Sequence, residues 1–287
     1  LTIQGAAHVN AGAIEVLAGE ISFAGVLTNE AGGGAIQARD ARLRFNDGLI
    51  NDGAVNLSFG VADVFGDVTN GESGTIVVAG SSQATFFDDL ENQGEVRTSA
   101  GSTTVFFGTV TGGGTFTGTG TTAFEGAFLP GNSPAQVTLA GDVLFGPAAQ
   151  LEVEVGGTAA GHEFDMLAID GAMVADGTLL VDWIELEGAA YQPQQGDSLT
   201  IITAAGGVTG QFVADLPALP VGLRWVLDYL PTSRVLRIED ALVADFDGSG
   251  AVDGDDLRNW EAHFGTSLDF SSQHGASLQD GDADLDN

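Results

Sequence analysis

Apolar and polar positions alternate along most of this chain in short runs, and glycine or asparagine interrupts the runs at regular distances. Alternation with a period of two predicts half-buried β-strands, not helices. The segments HVNAGAIEV, LTNEAGGGAIQA, LINDGAVNL, VTNGESGTIVV and LENQGEVRT place Asn10, Asn29, Asn51, Asn70 and Asn92 at intervals of 19, 22, 19 and 22 residues. An apolar residue follows each, at Ile14, Ile36, Val55, Ile76 and Val96. Phe23, Phe45, Phe65, Phe86 and Phe106 form a second series, with intervals of 22, 20, 21 and 20.

Two independent series with one period point to a structural repeat of about 20 residues, too short for a helical pair. It suits one coil of a parallel β-solenoid whose coils stack about 4.8 Å apart. Like residues then pile on like: Asn on Asn, Ile on Val, Phe on Phe. Stacked Asn amides hydrogen-bond from rung to rung. Asn tolerates left-handed backbone at bends, and the neighbouring glycines adopt it freely. One coil cannot bury its own apolar face, so stability comes from its neighbours. The competing arrangement is a set of antiparallel hairpins, to which the NDG triplets at 46–48 and 51–53 are suited. The shared period favours the solenoid.

After residue 110 the asparagines cease. LEVEV (151–155), TLLVDWIEL (178–186), SLTIIT (198–203), RWVLDYL (224–230) and SRVLRI (233–238) still read as strands, now separated by longer loops. The expectation is regular coils over 1–128, irregular coils or a β cap over 129–239, and a distinct acidic module over 240–287. The segments LPGNSPAQVTLAGDVLFGPAAQLEVEVGG, EFDMLAIDGAMVADGTLLVDW and GDSLTIIT resemble the secreted β-solenoid passenger and surface proteins of bacteria, including planctomycete-type ones, over about residues 50–215. That resemblance implies an extracellular or cell-surface scaffold and no particular ligand.

Composition sharpens this picture. The 287 residues carry 40 acidic and 8 basic side chains, a formal charge of −32, and every basic residue is an arginine. So negative a chain is a poor partner for nucleic acid or an anionic membrane surface. It has no cysteine, which excludes disulfides and thiolate chemistry. No apolar run is long enough to cross a bilayer, so no membrane insertion is expected. The start LTIQG, without Met or a signal sequence, reads as a mature or trimmed secreted chain.

The acidic excess is densest in DFDGSGAVDGDD, residues 245–256. Oxygen side chains fall at loop positions 1, 3, 5, 9 and 12: Asp245, Asp247, Ser249, Asp253 and Asp256. Gly250 holds position 6, where the loop turns. Ala251 offers its carbonyl at position 7, and Val252 at position 8 is expected to point into a core. Hard oxygen donors at alternating positions are the ligand order of a calcium loop, and converging carboxylates need a divalent cation to offset their repulsion. LRNWEAHFG follows, with Leu257, Trp260 and Phe264 on one helical face and Gly265 placed to end the helix. A solvated acidic tail is the plainer alternative, but it does not call for Gly250, Val252 and an amphipathic helix in register.

A calcium loop with Asp at position 12 followed by a helix resembles the first half of a type I dockerin, over about residues 240–287. A second half-motif starts at DADLDN, with Asp282, Asp284 and Asp286 at positions 1, 3 and 5, and stops halfway. The natural protein is therefore expected to continue. The resemblance implies calcium at both loops and docking onto a cohesin-like domain, a role the missing second helix puts in question.

The fold expected is thus all-β, a parallel β-helix with coils of about 20 residues, ending in a small α-helical, EF-hand-like dockerin module. The expected role is a non-catalytic structural one, with Ca2+ bound and a protein partner, either a cohesin-like domain or copies of the same chain in a surface fibre. A polysaccharide-binding or polysaccharide-cleaving β-helix is a third possibility. Arg42 and Arg44, in the basic cluster ARDARLR, would meet an acidic glycan, but pairing with nearby carboxylates explains them more simply. His162 near Glu163 and Asp165 has no nucleophile to serve. The glycines of GTVTGGGTFTGTG lack the lysine of a phosphate loop. No catalytic residue is assigned.

Overall fold

The computed structural model describes residues 1–131, 134–241, 244–249 and 251–263. Two compact units divide the chain. The first comprises Leu1–Gln192, Ser198–Ala218 and Leu227–Arg237; the second comprises Pro193–Asp197, Leu219–Val226 and Ile238–Asn287.

The first unit is a parallel β-solenoid. One of its sheets has ten strands, one below another, beginning with Ala7–Asn10, Val26–Asn29, Leu49–Asn51, Val68–Asn70 and Leu90–Asn92. A larger sheet supplies the other walls. There Ala13–Phe23 pairs in parallel with Ala35–Phe45, and that strand pairs in turn with Ala54–Ser58 and Val61–Val64. Every ladder through the repeat is parallel, so the hairpin alternative does not hold.

The corner between the two strands of each coil keeps a left-handed backbone. Positive φ recurs at Ala18 (89°), Asp40 (51°), Phe59 (55°), Gly80 (66°), Gly101 (77°) and Gly118 (86°). Three of these residues carry side chains that disfavour the conformation, so it is stacking on the neighbouring coils that holds the corner. The ladder asparagines themselves are not among the residues with positive φ. They end strands, and their role lies in their amides.

Those amides form a continuous buried chain. Asn10 Nδ2 donates to Asn29 Oδ1, Asn29 to Asn51, Asn51 to Asn70 and Asn70 to Asn92, each at 2.8 Å. The second hydrogen of each Nδ2 faces a strand carbonyl further on: Ala35, Ala54, Thr75 and Glu95 accept at 3.3 Å. In the next coil Gly112 follows the paired Val110 and Thr111 into the asparagine position, and the amide chain ends.

Beside this chain runs a column of glycines required by close approach, not by left-handed backbone. A Cβ on Gly53 would lie 2.2 Å from the Gly34 carbonyl oxygen and 2.7 Å from Asn29 Nδ2. On Gly94 it would lie 2.2 Å from the Gly74 carbonyl oxygen.

The core consists of axial columns. Ile14, Ile36, Val55, Ile76 and Val96 are in register, as their spacing predicts. The aromatic column departs from expectation at one rung. Phe45 is followed by Val64, not Phe65, and Val64 by Phe86 and Phe106. Ala62 and Val64 face inward, so pleating turns Phe65 outward, where it stacks on Phe87 with ring centroids 4.4 Å apart. Phe87 stacks in turn on Phe107 at 5.7 Å.

Parallel pairing continues well past residue 128. Gln150–Val155 pairs with Thr178–Trp183, and Met166–Ile169 with Ser198–Ala204. Ser233–Asp240 then lies antiparallel on Ser198–Ala204, with Leu236 opposite Leu199. This strand covers an edge that would otherwise offer free backbone groups. No helix among the described residues is long and apolar enough to cross a membrane.

In the second unit, Ile238 exchanges backbone hydrogen bonds with the 196–197 turn, and Arg224 pairs with Glu239 at 3.3 Å. Its helix is Gly254–His263.

Candidate metal centre

The loop before that helix brings three of the predicted ligands together. One carboxylate oxygen from each of Asp245, Asp247 and Asp256 lies within 4.8 Å of the other two. Two oxygens that share a calcium at about 2.3–2.6 Å each can be no more than about 5.2 Å apart. The three carboxylates meet that condition. All are hard donors, the type this ion selects.

Asp256 is the best fixed of the three, only 2% exposed. Its Oδ2 accepts the Asp253 backbone N–H at 2.6 Å and its Oδ1 accepts that of Asp247 at 3.2 Å. The Asp253 N–H, seconded by those of Asp247 and Phe246, holds its carboxyl below the usual aspartate range against the opposing effect of burial. The ionised form is the one that binds a cation.

The other predicted ligands serve the loop. Ser249 N–H is shared between Asp245 Oδ1 at 3.0 Å and Asp247 Oδ1 at 2.9 Å. The Ser249 hydroxyl donates to the Ala251 carbonyl at 3.3 Å, which couples the residues of positions 5 and 7 to each other. Asp253 turns its Oδ1 to the Asp255 N–H at 2.8 Å and caps the helix. With Asp256 reaching back to the Asp253 N–H, the two form a capping box that satisfies two helix-end donors. Arg258, the basic residue of this segment, pairs with Asp255 on the exposed side. Gly250, Phe264, Gly265 and the second half-motif with Asp282, Asp284 and Asp286 lie outside the described residues.

Val252 is 54% exposed and enters no core, and Leu257 is equally exposed. Among the described residues, one loop and a ten-residue helix supply no second layer to close over them. The residue that anchors the loop is Phe246, which is 7% exposed and which the ligand pattern passes over as position 2. Asn259 reaches back from the helix and donates to the Phe246 carbonyl. The signal for both was available: an aromatic inside an acidic loop, and an amide one helical turn from Asp256.

Elsewhere, Arg42 pairs with Asp63, and the Arg44 guanidinium lies 4.7 Å from the Phe65 ring centroid. Asp165 is 1% exposed and accepts the backbone N–H groups of Ala135 at 2.7 Å and Glu154 at 2.9 Å, a structural post and not a partner for His162. No protein-family model matches the chain, and a search of curated proteins finds no significant match.

Proposed function

We propose that this chain is a non-catalytic β-solenoid scaffold acting outside the cell or at its surface, with a calcium-ordered loop and helix of EF-hand-like, dockerin-like type that serve attachment. The observation that carries the reading is the convergence of Asp245, Asp247 and Asp256 within 4.8 Å, in a segment whose arginine is engaged elsewhere. The ion's role is to order the loop and the start of the helix. The partner is a protein that recognises that ordered surface, a cohesin-like domain in the dockerin reading.

Two further facts favour this over the alternatives. The edge of Ser198–Ala204 is covered by an antiparallel strand, which opposes end-to-end fibre growth there. Of the two arginines that would meet an acidic polysaccharide, Arg42 is already paired with Asp63 and Arg44 lies over the Phe65 ring.

Calorimetric titration of chelator-treated protein with calcium tests the proposal. One ion is expected to bind with a Kd of about 1 mM or tighter, and Asp245→Asn weakens it. In scanning calorimetry calcium shifts a minor transition and leaves the main solenoid transition in place. Absence of binding heat at several millimolar calcium overturns the reading.

A further inference from the structure

The solenoid path is interrupted between Thr178–Trp183 and Ser198–Ala204. There the chain leaves the coil as a small antiparallel hairpin, Glu185–Leu186 against Ala189–Ala190, turning through Glu187 (φ 51°) and Gly188 (φ 78°). Insertions in stacked-repeat proteins gather on one face, often the binding face. This hairpin and the loop around His162 wall an open cleft of about 570 Å³. That volume falls within the roughly 300–1,000 Å³ of small-ligand sites.

The two sides of the cleft differ in chemistry. Leu186, Ala190 and Tyr191 supply an apolar wall. The Tyr191 ring is braced by Trp183, with centroids 5.5 Å apart, and Trp183 Nε1 is itself tied to the Ala218 carbonyl at 3.4 Å. His162, Glu163 and Glu187 supply the polar side. Glu163 is fixed in place, because its Oε2 accepts the backbone N–H groups of Thr158 at 2.8 Å and Ala159 at 2.9 Å. Among the described residues no hydrogen-bond partner engages the side chains of His162 or Glu187. No arginine lines the cleft.

We propose that this cleft, a site separate from the acidic loop, binds a non-acidic pyranose sugar, and an amine-bearing hexose in preference to a neutral one. A pyranose offers an apolar C–H face to an aromatic wall and hydroxyl donors to carboxylates. The Glu163 and Glu187 carboxylates favour an ammonium group and repel uronate, sulfate and phosphate. A braced aromatic anchor beside one fixed acceptor, Glu163, matches the anatomy of small-ligand sites.

The test is calorimetric titration of the whole chain with the β-1,4-linked tetramers of glucosamine and glucose and the α-1,4-linked tetramer of galacturonate, with tryptophan fluorescence, to which Trp183 contributes alongside Trp225 and Trp260, as a second readout. The glucosamine tetramer is expected to bind best, the glucose tetramer more weakly, and the galacturonate tetramer not at all. Tyr191→Ala lowers affinity about tenfold or more, while Tyr191→Phe retains it. Glu187→Gln, on an exposed turn, weakens the glucosamine tetramer more than the glucose tetramer. The proposal is overturned if neither non-acidic tetramer binds at millimolar concentration. It is equally overturned if galacturonate binds as well as they do, or if folded Tyr191→Ala binds unchanged. Each result is independent of whether the C-terminal loop takes calcium.

Discussion

The Asn51 amide donates to Asn70 Oδ1 at 2.8 Å, and neither side chain is exposed to solvent. Asn29, Asn51 and Asn70 are each at once donor to the next coil and acceptor from the one before. The arrangement stores little net energy per bond, because water offers the same bonds to the unfolded chain. Its weight lies in the penalty for breaking it.

Asn51→Ala strands the Asn29 amide donor, the Asn70 oxygen and the Thr75 carbonyl inside the solenoid. The expected loss is about 2–4 kcal/mol, read from denaturant unfolding by circular dichroism. Asn51→Asp keeps the size but sets an acceptor against Asn70 Oδ1, and at neutral pH it is expected to cost more than alanine.

The glycine column separates close approach from backbone freedom. Gly53→Ala drives a Cβ to 2.2 Å from the Gly34 carbonyl oxygen and costs about 2–4 kcal/mol. Gly12, whose carbonyl accepts the Ala35 N–H, has nothing within 4 Å of an added Cβ. Gly12→Ala is expected to stay within about 0.5 kcal/mol. Equal losses at both positions in thermal unfolding would remove the packing explanation.

Phenylalanines of the solenoid differ by side of the wall. Phe45 is 1% exposed, and its replacement by alanine costs about 3–5 kcal/mol. Phe107 is 50% exposed, and Phe107→Ala costs about 1 kcal/mol or less. Parallel chemical-denaturation curves of the two variants check the difference.

Glu152 gives the solenoid a pH dependence. Burial, with the nearby carboxylates of Glu154, Asp182 and Asp165, raises its pKa above the ordinary value of 4.5. The folded state therefore holds this proton more tightly than the unfolded one. Stability falls as pH rises from the ordinary value through the raised one, and the loss is complete above it. Glu152→Gln is expected to raise the melting temperature at pH 7 and to have no effect of this origin at pH 3. A melting temperature lower than that of the parent protein at pH 7 would contradict this.

The acidic loop separates ligation from capping. Asp245→Asn is expected to weaken calcium binding by at least about tenfold, since even outer-shell partners of a metal are worth that much. It leaves the metal-free helix content unchanged. Asp256→Ala removes the reciprocal bonds to Asp253 and Asp247 as well, and so lowers helix content with or without calcium. Far-UV circular dichroism at both calcium levels distinguishes the two.

Periodicity along the chain was enough to determine the parallel coils, the asparagine ladder and the Ile14-to-Val96 column, because stacked coils return the same chemistry to the same place every twenty or so residues. The ligand order of a calcium loop, a local pattern and not a period, placed Asp245, Asp247 and Asp256 among its candidates, and these are the three whose carboxylates the structure brings together. Only the tertiary structure decided that Val64 and not Phe65 fills the aromatic column. Pleating, not residue type, sets which face a side chain takes, and a slip of one residue reverses it. It likewise decided that the ladder glycines are held by backbones about 2 Å from an absent Cβ, and that Val252 stays in solvent. Those outcomes depend on which atoms from distant coils or layers arrive at a position, and linear spacing carries no record of that.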